Sequence, residues 1–225
     1  MERNRPHCPR LLFRFPWEVS PRAVLDYYRR FLEAVPTVAD LAALPEDALM
    51  KLWQGLGYYS RARNLQKAAR QIVENFGGVF PNTYDEIRSL AGVGDYTAGA
   101  VASIAFGLPV PAVDGNVLRV VTRITGDTGD ITTPAVKRRI TEALRQIIPT
   151  EAPGQFNQAM MELGATVCLP NGAPLCDRCP GAEFCRARLE DRIEQLPVKA
   201  LQLSPIWRCN ILQFPSATFG NSILQ

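Results

Sequence analysis

The sequence predicts an all-α protein, and three observations support this fold class. Apolar residues recur at intervals of three and four along several segments, as they do on one face of a helix. Residues that cap or stop helices lie at the ends of these segments. No stretch alternates between apolar and polar residues with turn dipeptides at its ends, so a sheet is not expected.

Four apolar series mark the main predicted helices in chain order. They occupy residues 24–35, 65–76, 117–124 and 136–148. Each series has the spacing that puts its apolar side chains on one face of a helix. We therefore expect four amphipathic helices, each with an apolar face turned towards the core.

Capping residues predict where further helices begin and end. Thr37 with Asp40, and Thr83 with Glu86, have the spacing of a capping box, in which each side chain bonds to the other residue's backbone amide. Pro134 suits the first turn of a helix, where a backbone amide has no helical partner. Glycines that suit helix ends follow the second and third series, and they are Gly77, Gly78 and Gly126.

The composition is typical of a globular protein with a buried core. Of the 225 residues, 47% are apolar and 21% are charged, and the net charge is +3. This charge permits a polyanionic partner without requiring one. No run approaches the roughly 18 apolar residues of a membrane span, and the first residues lack the apolar stretch and cleavage site of an export signal. We therefore expect neither a membrane span nor secretion.

Four of the six cysteines form a cluster late in the chain. Their spacing is C-x7-C-x2-C-x5-C, and a proline follows the third cysteine. Because no export signal is expected, the cluster indicates metal binding rather than disulfide bonds. Thiolates at this spacing can surround an iron–sulfur cubane or a tetrahedral zinc ion, and both remain open at this point. The four cysteines are Cys168, Cys176, Cys179 and Cys185.

Two glycine-containing segments are candidates for a binding site. Gly92, Val93 and Gly94 form a turn between two predicted helices, and amides at the start of the second helix can bind an anion such as a DNA phosphate. A plain helix–helix turn has the same pattern. Asp114 lies twenty positions after Gly94 and precedes a helix, where it is either a simple N-cap or a functional carboxylate.

The segment LWQGLGYYSRARN at residues 52–64 interleaves aromatic residues with glycine and arginine. Such a composition suits stacking on nucleic-acid bases together with contacts to phosphates. A pair of helices broken by glycine, with aromatic residues in the core, explains it equally well.

In this order, these segments resemble the helix-hairpin-helix DNA glycosylase superfamily, and within it the MutY adenine glycosylases. The resemblance covers residues 22–200 and includes GLGYYSRARNL, LAGVGDYTAGA, AVDGNVLRV, FNQAMMELGA and the cysteine cluster. It implies a two-lobed helix-hairpin-helix core with an iron–sulfur cluster loop. It also implies a monomer that is cytoplasmic, bacterial in type and associated with the nucleoid, and that acts on double-stranded DNA containing A:8-oxoguanine or A:G mispairs.

The resemblance implies a catalytic group of three residues. Asp114 would stabilise the oxocarbenium-like sugar as the glycosidic bond of adenine breaks, and Asn116 would orient Asp114. Tyr96 would lie beside the sugar. Endonuclease III, a relative, has a nucleophilic lysine at the position of Tyr96, so the tyrosine favours a glycosylase without lyase activity.

The resemblance also implies the DNA contacts and the cofactor. Tyr58 would wedge into the duplex next to 8-oxoguanine, and Gln158 would contact the flipped adenine. The backbone of Gly92, Val93 and Gly94 would bind a phosphate. The four clustered cysteines would bind a [4Fe-4S] cluster.

The chain departs from the MutY pattern near its start. In that family a helix with the motif Ser-Glu-x-Met-Leu-Gln-Gln-Thr follows an LPWR-like segment, and its glutamate protonates adenine. Here Phe15-Pro16-Trp17 leads almost directly to Arg22, and Glu18 is the only acid nearby. We therefore expect impaired excision and reduced stability. A gene-model error, a frameshift or a decayed copy would explain this start and the unpatterned last 25 residues.

The expected organisation is an aberrant segment at 1–20, a helical domain with the hairpin at 21–125, an iron–sulfur domain at 126–195 and a linker remnant with an aberrant tail at 196–225. The Nudix-like domain that follows in MutY proteins is not recognisable in the tail. Three alternatives stay open at this stage: a non-catalytic DNA-binding remnant, an endonuclease III-like glycosylase of other base specificity, and a zinc-stabilised helical protein.

Overall fold

The computed structural model describes residues 21–200, with side chains from Asp26 onward. Every regular element in this range is helical, which confirms the predicted all-α fold class. In chain order the elements are α1 Pro21–Ala34, α2 Val38–Ala43, α3 Glu46–Leu52, α4 Tyr59–Phe76, α5 Tyr84–Ser89, α6 Asp95–Phe106, α7 Gly115–Thr125, α8 Pro134–Ile147, α9 Pro153–Thr166, the 3-10 turn Cys176–Arg178 and α10 Arg186–Leu189.

The helix ends follow the capping rules that the sequence indicated. Thr37 and Asp40 form a complete capping box at α2, and the Thr83 side chain accepts from the Glu86 amide at α5. Pro134 occupies the first turn of α8. Gly77 and Gly126 end α4 and α7 in the left-handed conformation, which glycine adopts without strain.

Helices α1 to α4 surround a first apolar core. Phe31 and Trp53 meet edge to face, with ring centroids 6.2 Å apart, and Leu49 is fully buried beside them. The buried Gln66 side chain donates to the carbonyls of Leu41 and Leu44, and so ties α4 to the end of α2. Helix α4 therefore has a fixed position against the first three helices.

Helices α5 and α6 form a hairpin that packs on the other side of α4. Two buried clusters hold it: one joins Ile87 to α6, and the other joins Leu90 to Ala68 and Ile72 of α4. Val93, in the turn, contacts both clusters. The turn is thus part of the core and has one defined position.

Helix α9 connects the hairpin to the last part of the described chain. It packs against both α6 and α7, and α7 also contacts α8 and α10. The crossing of α9 over α7 is close, because a Cβ atom on Gly164 would lie 2.6 Å from the Cβ of Asn116. The predicted domain boundary at residue 125 stays a prediction.

Some expectations are not met or lie outside the described residues. Val73 and Ile147 belong to predicted apolar series but are exposed. Glu18, the segment 1–20 and the tail from residue 201 are outside the described range. No helix within that range combines the length and apolar character needed to cross a membrane.

Candidate active site

The hairpin turn is held in one geometry by its contacts with α4. Gly92 has a φ of +77°, and a Cβ atom there would lie 2.7 Å from the Cβ of Asn64 on α4. The Ala91 amide donates to the side chain of Gln71 at 2.7 Å. Gly94 is the N-cap of α6, with a φ of −96°, and a Cβ atom there would meet nothing within 4 Å. Helix α4 therefore fixes the turn, while the side of Gly94 is open to an approaching molecule.

Hydrogen bonds to the Asp95 carboxylate hold the first turn of α6 in place. The Asp95 carboxylate accepts from the Arg88 guanidinium and from the Tyr84 hydroxyl, the latter at 3.3 Å. Burial raises the pKa of Tyr84, and the neighbouring Asp95 carboxylate raises it further. The hydrogen bond to Asp95 also raises the pKa of Arg88. These contacts join the start of α5 to the start of α6.

Asp114 is the N-cap of α7, as one of the two predictions for it stated. Its Oδ1 accepts from the amides of Asn116 and Val117, both at 2.9 Å, and its Oδ2 accepts from the side-chain amide of Asn116 at 3.1 Å. The carboxylate is partly buried and has one fixed orientation. Capping does not exclude the functional role, because a carboxylate oxygen has a second lone pair for a ligand.

Asn116 connects Asp114 to a buried arginine. The Oδ1 of Asn116 accepts from Arg119 at 3.0 Å, and Arg119 also donates to the carbonyls of Gly164 at 2.7 Å and Cys168 at 2.8 Å. Burial lowers the pKa of Arg119. A continuous series of hydrogen bonds thus extends from the Asp114 carboxylate to the backbone of the first clustered cysteine.

Tyr96 lies between two cavities. Its hydroxyl donates to the sulfur of Met161 on α9 at 3.1 Å. On one side a cavity of about 380 Å³ is lined by Tyr96, Gly92, Asn64 and Met161 among others. On the other side a cavity of about 100 Å³ is lined by Tyr96 and by Val113, the residue before Asp114. Tyr96 therefore links the hairpin turn to the segment that carries Asp114.

Tyr58 has the exposure that a duplex wedge requires. It is 62% exposed and has a φ of +48° at the N-cap of α4. The Arg61 guanidinium lies 4.7 Å above its ring. The indole of Trp53 donates to the carbonyl of Gly57 at 2.9 Å and so fixes the preceding turn. Trp53 lies in the core, as the interpretation of a glycine-broken helix pair predicted, while Tyr58 is on the surface and its contact with DNA stays a prediction.

Gln158 and Asn157, neighbours on α9, have opposite environments. Gln158 is exposed, whereas Asn157 is buried. The Asn157 side chain accepts from the Ala112 amide at 3.0 Å and donates to Ser103 at 2.8 Å and to the Val110 carbonyl at 2.9 Å. Asn157 was not among the site residues predicted from the sequence, although a poor helix former within an apolar helical segment is a signal for such a role.

The four clustered cysteines line one cavity of about 30 Å³. Arg123 binds two of them: its guanidinium donates to the Cys168 sulfur at 3.3 Å, and its carbonyl accepts from the Cys185 thiol at 3.4 Å. Burial raises the pKa of the Cys176 thiol, and the other three cysteines raise it further. No three histidine, cysteine or acidic side chains within residues 26–200 are grouped closely enough to hold a single metal ion.

The sequence of this chain matches the model of a known protein family. The model describes an HhH-GPD superfamily base excision DNA repair protein and matches residues 19–146, more than half of the chain. The chain belongs to this superfamily. The predicted helix-hairpin-helix fold is therefore confirmed.

Curated relatives from this superfamily have a common name. The chain is 46% identical over 183 residues to an adenine DNA glycosylase of Rattus norvegicus, 47% over 174 residues to that of Homo sapiens, and 36% over 182 residues to that of Buchnera aphidicola. These alignments cover 81%, 77% and 81% of the chain. The chain spans about a third of the two mammalian relatives and about half of the Buchnera relative.

Solved structures of the superfamily superpose on most of the chain. An endonuclease III in a non-covalent complex with DNA is 31% identical, with a TM-score of 0.65, and the match covers 78% of this chain and 79% of that one. A thermostable thymine-DNA glycosylase is 26% identical, with a TM-score of 0.69 and coverage of 80% and 82%. The HhH-GPD fold thus extends over most of this chain and over most of each of the two solved structures.

Proposed function

We propose that this chain is an adenine DNA glycosylase of base excision repair, acting on duplexes with A:8-oxoguanine or A:G mispairs. The observation that carries the proposal is the fixed Asp114 carboxylate, which directly follows Val113, a residue that lines a cavity together with Tyr96. The name that the curated relatives share supports adenine as the substrate base.

The arrangement suits cleavage of an N-glycosidic bond. An extruded nucleotide would occupy the cleft between the hairpin and α7, with a phosphate at the amides of the Gly92–Gly94 turn. The negative charge of Asp114 would stabilise positive charge on the sugar as the bond breaks. Tyr96 carries no amine and cannot form a Schiff base, so the proposed reaction is hydrolysis alone.

We also propose that excision is slow. Between Phe15-Pro16-Trp17 and Arg22 the given sequence has no Ser-Glu-x-Met-Leu-Gln-Gln-Thr motif, which carries the glutamate that the family resemblance assigns as the general acid. Adenine is a poor leaving group unless it is protonated, and loss of a general acid lowers rates by roughly 10²–10⁴-fold.

A single-turnover assay with excess protein on an A:8-oxoguanine duplex tests both proposals. We expect slow adenine release by the chain as it stands and none by Asp114→Asn. Release as fast as that of a glutamate-containing relative would contradict the second proposal. Binding of the duplex without any release, unchanged by Asp114→Asn, would favour the non-catalytic alternative, and absence of binding would refute the first proposal.

We propose that the four cysteines hold a [4Fe-4S] cluster with a structural role. All four thiols line one cavity, and this agrees with four thiolates around one centre. An absorbance band at about 400 nm with about four irons per chain is expected. Cys176→Ser should remove both, whereas Cys8→Ser should not. Zinc without iron in the purified protein would contradict the assignment.

A further inference from the structure

We propose that one face of α8 forms a second contact with the DNA backbone, through Lys137, Thr141 and Arg145. The inference rests on the proposed glycosylase function and adds a binding surface to it. The three residues are four positions apart, so they lie along one face of the helix. They line the cavity of about 100 Å³ that Tyr96 and Val113 also line.

This face is continuous with the candidate active site. Tyr96 belongs to both cavities, and Val113 immediately precedes Asp114. The α8 face shares its cavity with Asp95 and Tyr96, which directly follow the hairpin turn, and with Val113. The position of the face therefore suits a neighbouring phosphate of the same strand.

The charges on this face favour an anion. Lys137 is exposed, and no ion pair within residues 26–200 includes it. Arg145 pairs with Glu142 at 3.5 Å, but both side chains are exposed, and such a pair contributes little and can exchange for a phosphate.

Asp95 also lines this cavity, but its negative charge is already paired, since its carboxylate accepts from Arg88 and Tyr84. The Thr141 hydroxyl donates to the Lys137 carbonyl at 2.8 Å, so it would exchange that bond when it donates to a phosphate. Lysine, arginine and threonine side chains are all common phosphate donors in protein–DNA interfaces. The face therefore presents two cations: Lys137, which has no ion pair within residues 26–200, and Arg145, whose one ion pair there, with Glu142, is exposed.

The experiment compares Lys137→Gln/Arg145→Gln with a control that removes the same charge elsewhere. Arg138→Gln/Lys67→Gln is suitable, because neither residue lines the cavity. Fluorescence anisotropy measures binding of the full chain to an A:8-oxoguanine duplex, and to an undamaged duplex, over a range of salt concentrations. Thermal melts confirm that all variants fold.

Each lost phosphate contact reduces the slope of log K against log salt by about 0.9. We expect a slope reduced by about two for Lys137→Gln/Arg145→Gln, and an affinity roughly tenfold lower per charge at about 0.1 M salt, equally for both duplexes. The control should keep the wild-type slope. Equal slopes and affinities for the two double variants would overturn the proposed contact at α8 and leave the glycosylase proposal unaffected. Absence of duplex binding by the wild-type chain would overturn the glycosylase proposal as well.

Discussion

Asn116 fixes both oxygens of the Asp114 carboxylate, its backbone amide donating to Oδ1 at 2.9 Å and its side-chain amide to Oδ2 at 3.1 Å. Asp114 is therefore a helix cap and the proposed catalytic group at the same time. The two roles are separable, because asparagine caps a helix about as well as aspartate but carries no negative charge.

Substitutions at Asp114 should separate stability from activity. We expect Asp114→Asn to lose about 1 kcal/mol, because its amide nitrogen cannot accept from the Asn116 side chain. Asp114→Ala should lose about 2 kcal/mol, because alanine also cannot accept from the amides of Asn116 and Val117. Adenine release should be absent from both. Urea denaturation measures the stability, and equal losses for the two variants would show that the capping bonds are not what distinguishes them.

Arg119 should be required for folding because it is itself buried and donates to three acceptors. It is only 6% exposed and donates to the side chain of Asn116 and to the carbonyls of Gly164 and Cys168. Arg119→Met would leave these acceptors unpaired, and we expect a loss of about 3 kcal/mol or more.

Arg138→Met, which changes an exposed arginine on α8, is the matched control for Arg119→Met and should change stability by less than about 0.5 kcal/mol. Urea midpoints and iron content per chain are the measurements. Iron should fall in Arg119→Met, because the carbonyl of Cys168 loses its donor. Identical midpoints for the two variants would contradict this role.

The two glycines of the hairpin turn should respond differently to alanine. Gly92→Ala places a Cβ against Asn64 and forces alanine to a positive φ, so we expect a loss of about 1–3 kcal/mol. Gly94→Ala meets no atom of the described chain and has an ordinary φ, so its stability should change by less than about 1 kcal/mol.

DNA binding provides the second measurement on this pair. If a phosphate approaches the open side of Gly94, as proposed, Gly94→Ala should weaken duplex binding while the protein remains folded. Anisotropy titrations with one labelled duplex measure this. Wild-type affinity in a folded Gly94→Ala protein would place the phosphate elsewhere.

The sequence predicted those parts of the molecule that depend on local rules. The capping box at Thr37 and the glycine that ends α7 depend on neighbouring residues only, and both were found as expected. The bond from Arg119 to the Gly164 carbonyl was not predictable, because it forms where α9 crosses α7, a contact between residues 45 positions apart. Helical periodicity also could not show that Ile147, at the end of its series, lies outside the core.

Substitutions at the neighbours Asn157 and Gln158 should have different effects. Replacing Asn157 should reduce stability, whereas replacing Gln158 should weaken a contact with DNA. Asn157 is 3% exposed, and Asn157→Ala leaves the amide of Ala112 without its acceptor, so we expect a loss of about 2–4 kcal/mol. Gln158→Ala should change stability by less than about 0.5 kcal/mol, because its side chain is exposed.

Gln158→Ala should instead reduce the preference for adenine. The measurement compares binding to an A:8-oxoguanine duplex with binding to the same duplex carrying an abasic analogue in place of adenine. A contact from Gln158 to the flipped base requires that the variant lose affinity for the first duplex only. Equal losses of affinity for both duplexes would mean that Gln158 contacts the DNA backbone rather than the base. A stability loss as large as that of Asn157→Ala would mean that Gln158 contributes to the packing of α9.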